Sequence, residues 1–191
     1  RTAIINGDDA ANDVMNVACL PTVEVVTYGL SNHCIVRAYD IVSDGHGVVF
    51  QFQSPWGRCQ INSPLLGHFN IYNLLAALTA ALVEGIPLQL LTQACETLVS
   101  VKGRMEVIAI TDNVRVIVDF AHTPDALENT LQAVKTHTLG RTWAVFGCGG
   151  NRDKQKRALM GALAEENADE LVLTSDNPRD ESPEKIINDI A

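Results

Sequence analysis

The 191-residue sequence lacks the features that mark several common classes of protein. Its five cysteines are an odd number, form no CxxC pair and match no zinc-binding spacing. No apolar run reaches the roughly 18 residues that a membrane span needs, and no basic-then-apolar signal stands at the start. These absences favour a cytoplasmic protein with reduced thiols and without a membrane partner.

Positive charge is also scarce. The chain has 14 lysines and arginines against 23 acids, a net charge of −9, and residues 165–191 contribute −7 of it. A nucleic-acid partner is therefore not expected, because nucleic-acid-binding surfaces are basic. One cluster departs from this trend, since Arg152, Lys154, Lys156 and Arg157 place four cations within six residues. With 47% hydrophobic residues, the chain is expected to be globular rather than disordered.

Hydrophobic patterning predicts a mixed first part. Thr2–Asn6 has the pattern of a buried strand and is followed by a helix-like segment. Residues 23–62 contain four strand-like stretches separated by turns, which predicts an antiparallel excursion. Three leucines that recur every four residues predict a helix over Phe69–Glu84, ended by Gly85, and Pro87 opens a second helix.

A short polar stretch at residues 100–103 separates this part from a regular alternation of strands and helices. We place the domain boundary there, with domains over 1–102 and 103–191. The later strands are apolar on both faces, which favours a parallel sheet covered by helices. The predicted strands are Met105–Ile110, Val114–Phe120, Thr142–Phe146 and Glu170–Thr174, and the predicted helices are Pro124–Lys135, Asp153–Asn167 and Pro183–Ala191.

The expected fold class is therefore α/β, with an antiparallel excursion followed by a Rossmann-like, mostly parallel sheet. The chain starts at Arg1 rather than at a methionine, and it stops within a predicted helix. We expect it to be a piece of a longer protein, with both domains incomplete.

Residues that follow strands are the first candidates for a site, because ligands of α/β sheets bind outside the carboxyl ends of the strands. Asp119 and His122 follow one such strand. A carboxylate there can accept hydrogen bonds from ribose hydroxyls, or it can cap local backbone amides. Thr123 and Pro124 are explained by helix initiation, as N-cap and first helical residue.

A second candidate is the glycine-rich turn Gly147–Gly150, which precedes Arg152 and Lys154. Backbone amides at a helix start bind anions, and the cations favour a carboxylate. The turn is not a GxGxxG motif, because Arg152 occupies the place of the last glycine, and no GxxxxGK[ST] loop occurs in the chain. A tight turn before a solvated helix is the alternative.

A third candidate is the run Asp176, Asn177, Pro178 and Arg179, which follows the last predicted strand. Asn-Pro is an ordinary turn signal, yet the planar donor fork of Arg179 could bind a carboxylate. On local features a turn and a ligand site are equally supported.

Two further features involve side chains before the boundary or at it. Asn70 and Asn73 share one face of a helix, where amides can read a heteroaromatic edge. Arg104 lies at the presumed joint between the domains, where a cation could reach a bound ligand. Each of these residues could equally be structural.

Five ordered segments within residues 67–179 together resemble the ATP-dependent Mur ligases of cell-wall synthesis. The resemblance implies the latter part of a central ATP-binding domain, followed by most of a Rossmann-like domain that binds an amino acid. The segments are Gly67–Asn73, Lys102–Glu106, Asp119–Asp125, Phe146–Asp153 with Lys156 and Arg157, and Asp176–Arg179.

The resemblance implies a reaction in which ATP phosphorylates a D-glutamate carboxylate of a UDP-N-acetylmuramoyl dipeptide, and the amine of meso-diaminopimelate attacks the acyl phosphate. Its implied partners are these small molecules, and a monomer is expected. The ATP-binding residues implied by the resemblance are Asn70, Asn73, Arg104, Asp119 and His122, and Arg104 is also the implied catalytic residue. The implied diaminopimelate-binding residues are Arg152, Asp176, Asn177, Pro178 and Arg179.

The family's phosphate loop, its Mg²⁺ ligands and its UDP-binding domain would precede Arg1, so no metal site of the family is expected within the chain. The chain alone is therefore expected to lack ligase activity. A lysine-adding relative of the same family is the alternative. The arginine that ends the last motif, Arg179, favours the diaminopimelate-adding type over it.

Two hypotheses from other functional classes remain open. A nicotinamide-binding dehydrogenase domain is suggested by the Gly147–Gly150 turn. It requires a carboxylate about 20 residues later, at the end of the next strand, whereas Ala168 and Asp169 begin that strand. A noncatalytic binding module is a third possibility.

Overall fold

The computed structural model describes residues 1–44, 46–111 and 114–191. They divide into two compact units, Arg1–Ser100 and Val101–Ala191. Within this described part, no helix combines the length and the apolar character of a membrane span.

The first unit contains a five-stranded sheet in the order β1-β2-β3-β4-β5. Its last three strands, β3 to β5, pair antiparallel. The strands are β1 (Thr2–Asn6), β2 (Glu24–Gly29), β3 (Val36–Asp44), β4 (Gly47–Ser54) and β5 (Gly57–Ser63), and the helices are α1 (Asn12–Ala18), α2 (His68–Val83) and α3 (Leu88–Glu96).

The antiparallel excursion predicted over residues 23–62 is thus smaller than expected. β2 pairs with β1 in parallel, with Thr2 opposite Glu24, and its last two residues pair with β3 in parallel. Helix α1 lies between β1 and β2 and returns the chain to the start of the sheet, which makes β2 parallel to β1.

The core of the first unit lies between the sheet and helix α2. The leucines that predicted this helix, Leu74, Leu78 and Leu82, are all buried, and they pack with the fully buried Phe50 and Phe52 of β4. Burial of such side chains contributes about 1.5–3 kcal/mol each. The predicted apolar face is confirmed, and Gly85 follows the helix end in the left-handed region, at φ +85°.

The second unit alternates strands and helices, as predicted, and the mixed α/β class is confirmed. β6 and β7 form an antiparallel pair, because strands only two residues apart in sequence can pair only as a hairpin. β8 and β9 are parallel. The elements are β6 (Glu106–Thr111), β7 (Val114–Val118), α4 (Pro124–Thr136), β8 (Trp143–Phe146), α5 (Gln155–Asn167), β9 (Glu170–Leu173) and α6 (Pro183–Ile190).

The core of this unit is formed where the three helices meet the β8–β9 pair. Its buried members are Leu127, Leu131, Ala144, Cys148, Met160, Ala164, Ile186 and Ile190. Helices α5 and α6 are in close contact at Gly161, where an added Cβ would lie 1.9 Å from the carbonyl oxygen of Ile190. This packing holds the loops that follow β8 and β9 side by side.

Candidate functional site

The glycine-rich turn at residues 147–151 and the loop at residues 176–181 follow the parallel strands β8 and β9 and lie against each other. The amide of Gly150 donates a hydrogen bond of 2.9 Å to the carbonyl oxygen of Asn177. A Cβ at Gly150 would lie 1.8 Å from the carbonyl oxygen of Pro178. Glycine is required here because one backbone passes directly over the other.

Arg179 is held across this contact. Its Nη1 donates a hydrogen bond of 2.6 Å to the carbonyl oxygen of Gly150, and its backbone is in the left-handed region at φ +49°. Such strained non-glycine residues cluster at functional sites. A guanidinium has five N–H donors, so this one bond leaves donors for a ligand carboxylate.

Asn151, at the end of the glycine-rich turn, also binds the loop at residues 176–181. Its amide donates a hydrogen bond of 2.6 Å to Oε1 of Glu181, and its side-chain Nδ2 donates one of 2.7 Å to Asp180. Asn151 is also left-handed, at φ +53°. The exposed side chain of Arg152 follows directly, so the two predicted arginines, Arg152 and Arg179, extend from loops that are tied together.

A buried ion-pair network supports this pair of loops. Arg157 is fully buried and forms ion pairs of 3.0 Å with Glu181 and 2.7 Å with Asp189. The ammonium of Lys154 lies 3.1 Å from Glu181. The hydrogen bond from Arg157, followed by that from the Asn151 amide, lowers the pKa of Glu181 to about 2. The carboxylate is therefore charged at all ordinary pH values.

Asp119 binds neighbouring backbone and side-chain groups. Its carboxylate accepts hydrogen bonds of 2.8 Å from the amides of Met105 and Ala121, and one of 3.2 Å from the hydroxyl of Thr130. Three bonds on a carboxylate with about four acceptor positions leave room for one more donor. Asp119 thus caps local backbone amides, one of the two roles that the sequence allows. These three hydrogen bonds leave one acceptor position of the carboxylate for a ligand.

His122 and Arg104 are brought together by an aromatic ring. The guanidinium carbon of Arg104 lies 4.9 Å from the ring centroid of Phe120, a cation–π contact. The ring of His122 meets the same ring edge-on at 5.3 Å, and its Nδ1 lies 3.0 Å from the carbonyl oxygen of Phe120. Lys156 donates a hydrogen bond of 2.6 Å to the carbonyl oxygen of His122, which ties α5 to this cluster.

Asn70 and Asn73 do share one face at the start of helix α2. Nδ2 of Asn70 donates to the carbonyl oxygen of Leu66 at 2.7 Å, and Nδ2 of Asn73 donates to Oδ1 of Asn70 at 3.0 Å. Asn70 is therefore anchored, and among the contacts of the described residues the exposed Asn73 has its amide oxygen and one N–H left for a ligand.

Asp180, Glu181 and Arg157 support the site, although the sequence pattern does not mark them as site residues. Asp180 and Glu181 belong to the acidic tail and Arg157 to the basic cluster, and both patterns are typical of solvated charges. The local signal is the placement of two acids directly after Arg179, which does not indicate their partners.

Two family profiles match the chain. The Mur ligase middle domain matches residues 1–81, and the Mur ligase glutamate ligase domain matches residues 103–191. A curated relative from Oceanobacillus iheyensis, named UDP-N-acetylmuramoyl-L-alanyl-D-glutamate–2,6-diaminopimelate ligase, is 44% identical over 190 residues. That alignment covers 100% of this chain and 38% of the relative, so the chain spans about two fifths of the relative's length.

Two solved structures have the same fold. A ligase of the same name is 43% identical, with a TM-score of 0.69, and covers 100% of this chain and 40% of that one. The MurF ligase of Thermotoga maritima in complex with ADP has a TM-score of 0.71 and covers 97% of this chain and 42% of that one. At 16% identity, the second likeness is one of fold alone.

Proposed function

This chain belongs to the Mur ligase family, and from that premise we propose that it is part of an ATP-dependent ligase that joins meso-diaminopimelate to UDP-N-acetylmuramoyl-L-alanyl-D-glutamate. The support is its 44% identity to a relative of that name. Because the chain covers 38% of that relative, the complete activity is proposed for a longer protein that contains it.

The observation that carries the proposal is the hydrogen bond of Arg179 to Gly150. It fixes a guanidinium over the glycine-rich turn, with Arg152 on the adjoining segment. Diaminopimelate has a second carboxylate that lysine lacks, and a planar guanidinium binds a carboxylate with two parallel bonds. We assign Arg152, Asp176, Asn177, Pro178 and Arg179 to the diaminopimelate site.

We assign ATP to the second group of predicted residues. When bound, ATP supplies the phosphoryl group that activates the substrate carboxylate. The free amide edge of Asn73, beside Asn70, fits the adenine, and the exposed cation of Arg104 fits a phosphate. Asp119, with one acceptor position left, and His122 would meet the ribose. Mg²⁺ would be held by residues outside this chain.

We further propose that the protein acts in the cytoplasm, as a monomer, on small molecules alone. All five cysteines are free thiols, which agrees with a reducing compartment. The net charge of −9 disfavours a nucleic-acid partner, because proteins that bind nucleic acids are generally basic.

Calorimetry of the chain with meso-diaminopimelate, L-lysine and NAD tests the assignment. We expect diaminopimelate to bind and lysine to bind at least about tenfold more weakly, the minimum effect of one charged hydrogen bond. Preference for lysine would support the lysine-adding relative, and binding of NAD would support the dehydrogenase reading. No heat with any of the three would contradict the proposed amino-acid site.

A further inference from the structure

A second polar cluster lies in the first unit and takes no part in the site described above. Asp8, His33 and Cys34 each offer one ligand atom, and these three atoms lie within 4.8 Å of one another. Asp8 follows β1, and the other two residues precede β3, so the pairing of β1, β2 and β3 brings them together.

The two oxygens of the Asp8 carboxylate accept hydrogen bonds of different lengths. Oδ2 accepts hydrogen bonds of 2.5 Å from the Leu30 amide and 3.1 Å from the Tyr72 hydroxyl. Oδ1 accepts a long hydrogen bond of 3.3 Å from the Ser31 amide and a weak one of 3.8 Å from the Cys34 thiol. The Ser31 side chain also donates a hydrogen bond to this carboxylate. The short bond to the Leu30 amide holds Oδ2 in the loop, so Oδ1, beside the thiol, is the oxygen that can bind a ligand.

Two glycines make the space in which these atoms meet. A Cβ at Gly7 would lie 2.6 Å from Sγ of Cys34, and a Cβ at Gly29 would lie 2.5 Å from Oδ2 of Asp8 and 2.8 Å from the same Sγ. Neither glycine has a left-handed backbone, so conformation does not require glycine at either position. What requires it is the close approach of the thiol and the carboxylate.

The ring of His33 has the outer partner that metal-bound histidines commonly have. Its Nε2 lies 3.0 Å from the carbonyl oxygen of Gly7. In the tautomer that donates this hydrogen bond, the other ring nitrogen carries the lone pair for a metal, an arrangement typical of histidine ligands. The side chain is exposed, so small rotations can adjust its position.

The donor set indicates the kind of ion. One carboxylate oxygen, one imidazole nitrogen and one sulfur suit zinc and its neighbours among the divalent transition metals, whereas Mg²⁺ prefers oxygen ligands alone. Bonds of about 2.0 Å to oxygen and 2.3 Å to sulfur in a tetrahedral site separate the two ligands by roughly 3.5 Å. The observed distance of 3.8 Å between Oδ1 and Sγ is close to this value.

We propose that Asp8, His33 and Cys34 form a binding site for a divalent transition metal ion of the zinc type, with a fourth position left for water or a ligand. Bonds form from the ion to Oδ1, to a ring nitrogen and to Sγ, while the thiol proton leaves to solvent and no oxidation state changes. The site does not depend on the proposed ligase function.

Titration of the chain with Co²⁺ tests the site, because a cobalt–thiolate bond gives a charge-transfer absorption in the near ultraviolet. We expect one equivalent of Co²⁺ to produce this absorption, and Zn²⁺ but not Mg²⁺ to displace it. The Cys34→Ser variant should lose the absorption, whereas Cys19→Ser, a matched change at another free cysteine, should keep it.

His33→Gln provides a second variant, at an exposed position. It should weaken Co²⁺ binding by about tenfold or more, since even the loss of an outer partner of a ligand costs that much. The proposal is overturned by absence of the absorption from the unaltered chain, by its survival in Cys34→Ser, or by unchanged affinity in His33→Gln. Circular dichroism of each variant checks that the fold is kept.

Discussion

The backbone amide of Asn151 donates a hydrogen bond of 2.6 Å to the carboxylate of Glu181, a residue 30 positions later in the chain. The same carboxylate binds the fully buried Arg157. Glu181 thereby links the glycine-rich turn, the loop of Arg179 and the core of the second unit. The geometry of the proposed diaminopimelate site depends on this one side chain.

The Glu181→Gln variant should destabilise the chain at neutral pH, because it removes one of the two negative charges that pair with the buried Arg157. The pKa of Glu181 is lowered from its ordinary 4.5 to about 2, so its contribution is present above pH 4.5 and is lost as the pH falls towards 2. Urea unfolding of both proteins should show the largest difference at pH 7 and a shrinking one below pH 4.5. Glu165→Gln, at an exposed position of α5, is the control, and a difference that stays constant with pH would contradict the argument.

The Gly150→Ala variant should destabilise the second unit by about 1–3 kcal/mol or more, because the added methyl group would overlap the carbonyl oxygen of Pro178. It should also weaken diaminopimelate binding by displacing Arg179. Gly140→Ala is the matched control, since its Cβ would have no neighbour within 4 Å. Equal unfolding midpoints for the two variants would show that the two loops are not in close contact.

The Arg179→Ala variant of the full-length enzyme should raise the KM for diaminopimelate by about ten- to a hundredfold, the effect of losing one charged hydrogen bond. It should also narrow the preference over lysine, because lysine leaves the guanidinium unpaired in the unaltered enzyme. The ratio of kcat/KM for the two amino acids measures this. Lys185→Ala removes another exposed cation of the same unit and should leave the ratio unchanged. If the ratio is unchanged in Arg179→Ala, residues 176–179 form only a turn and do not select the amino acid.

The Arg104→Ala variant of the full-length enzyme should lower kcat by about a hundredfold and change the KM for diaminopimelate little. The reason is that a cation placed to stabilise phosphate charge acts mainly on the transition state. Arg104→Lys, which keeps the charge but loses the planar contact with Phe120, should recover part of the rate. Unchanged turnover of the alanine variant at saturating ATP would make Arg104 a purely structural residue.

The chain by itself should hydrolyse no ATP in the presence of the two substrates. Phosphoryl transfer depends on a cradle for the β- and γ-phosphates, and the sequence contains no GxxxxGK[ST] loop to form one. A phosphate-release assay, with a full-length ligase as the positive control, measures this. Phosphate release that requires substrate would contradict the expectation.

Several features of this protein are determined by short stretches of sequence. Thr123 caps helix α4 by accepting a hydrogen bond of 3.3 Å from the amide of Ala126, and Pro124 occupies the first turn, as predicted. The leucines spaced by four residues form the buried face of α2. These features were predictable because capping and helical periodicity involve residues a few positions apart, whose interactions do not depend on the rest of the fold.

The sequence also indicates the positions of the proposed site residues, since strand ends mark where ligands bind in such sheets. It does not indicate the hydrogen-bond and ion-pair partners of these residues. Tyr72 reaches Asp8 across 64 residues, and Arg157 reaches Asp189 across 32. Each contact exists because strand pairing and helix packing bring distant segments together, and no local pattern distinguishes a buried ion pair from solvated charges before those segments meet. The sequence alone thus determined the helices, the turns and the candidate residues, whereas the tertiary structure decided which charges are paired and how the two loops are held.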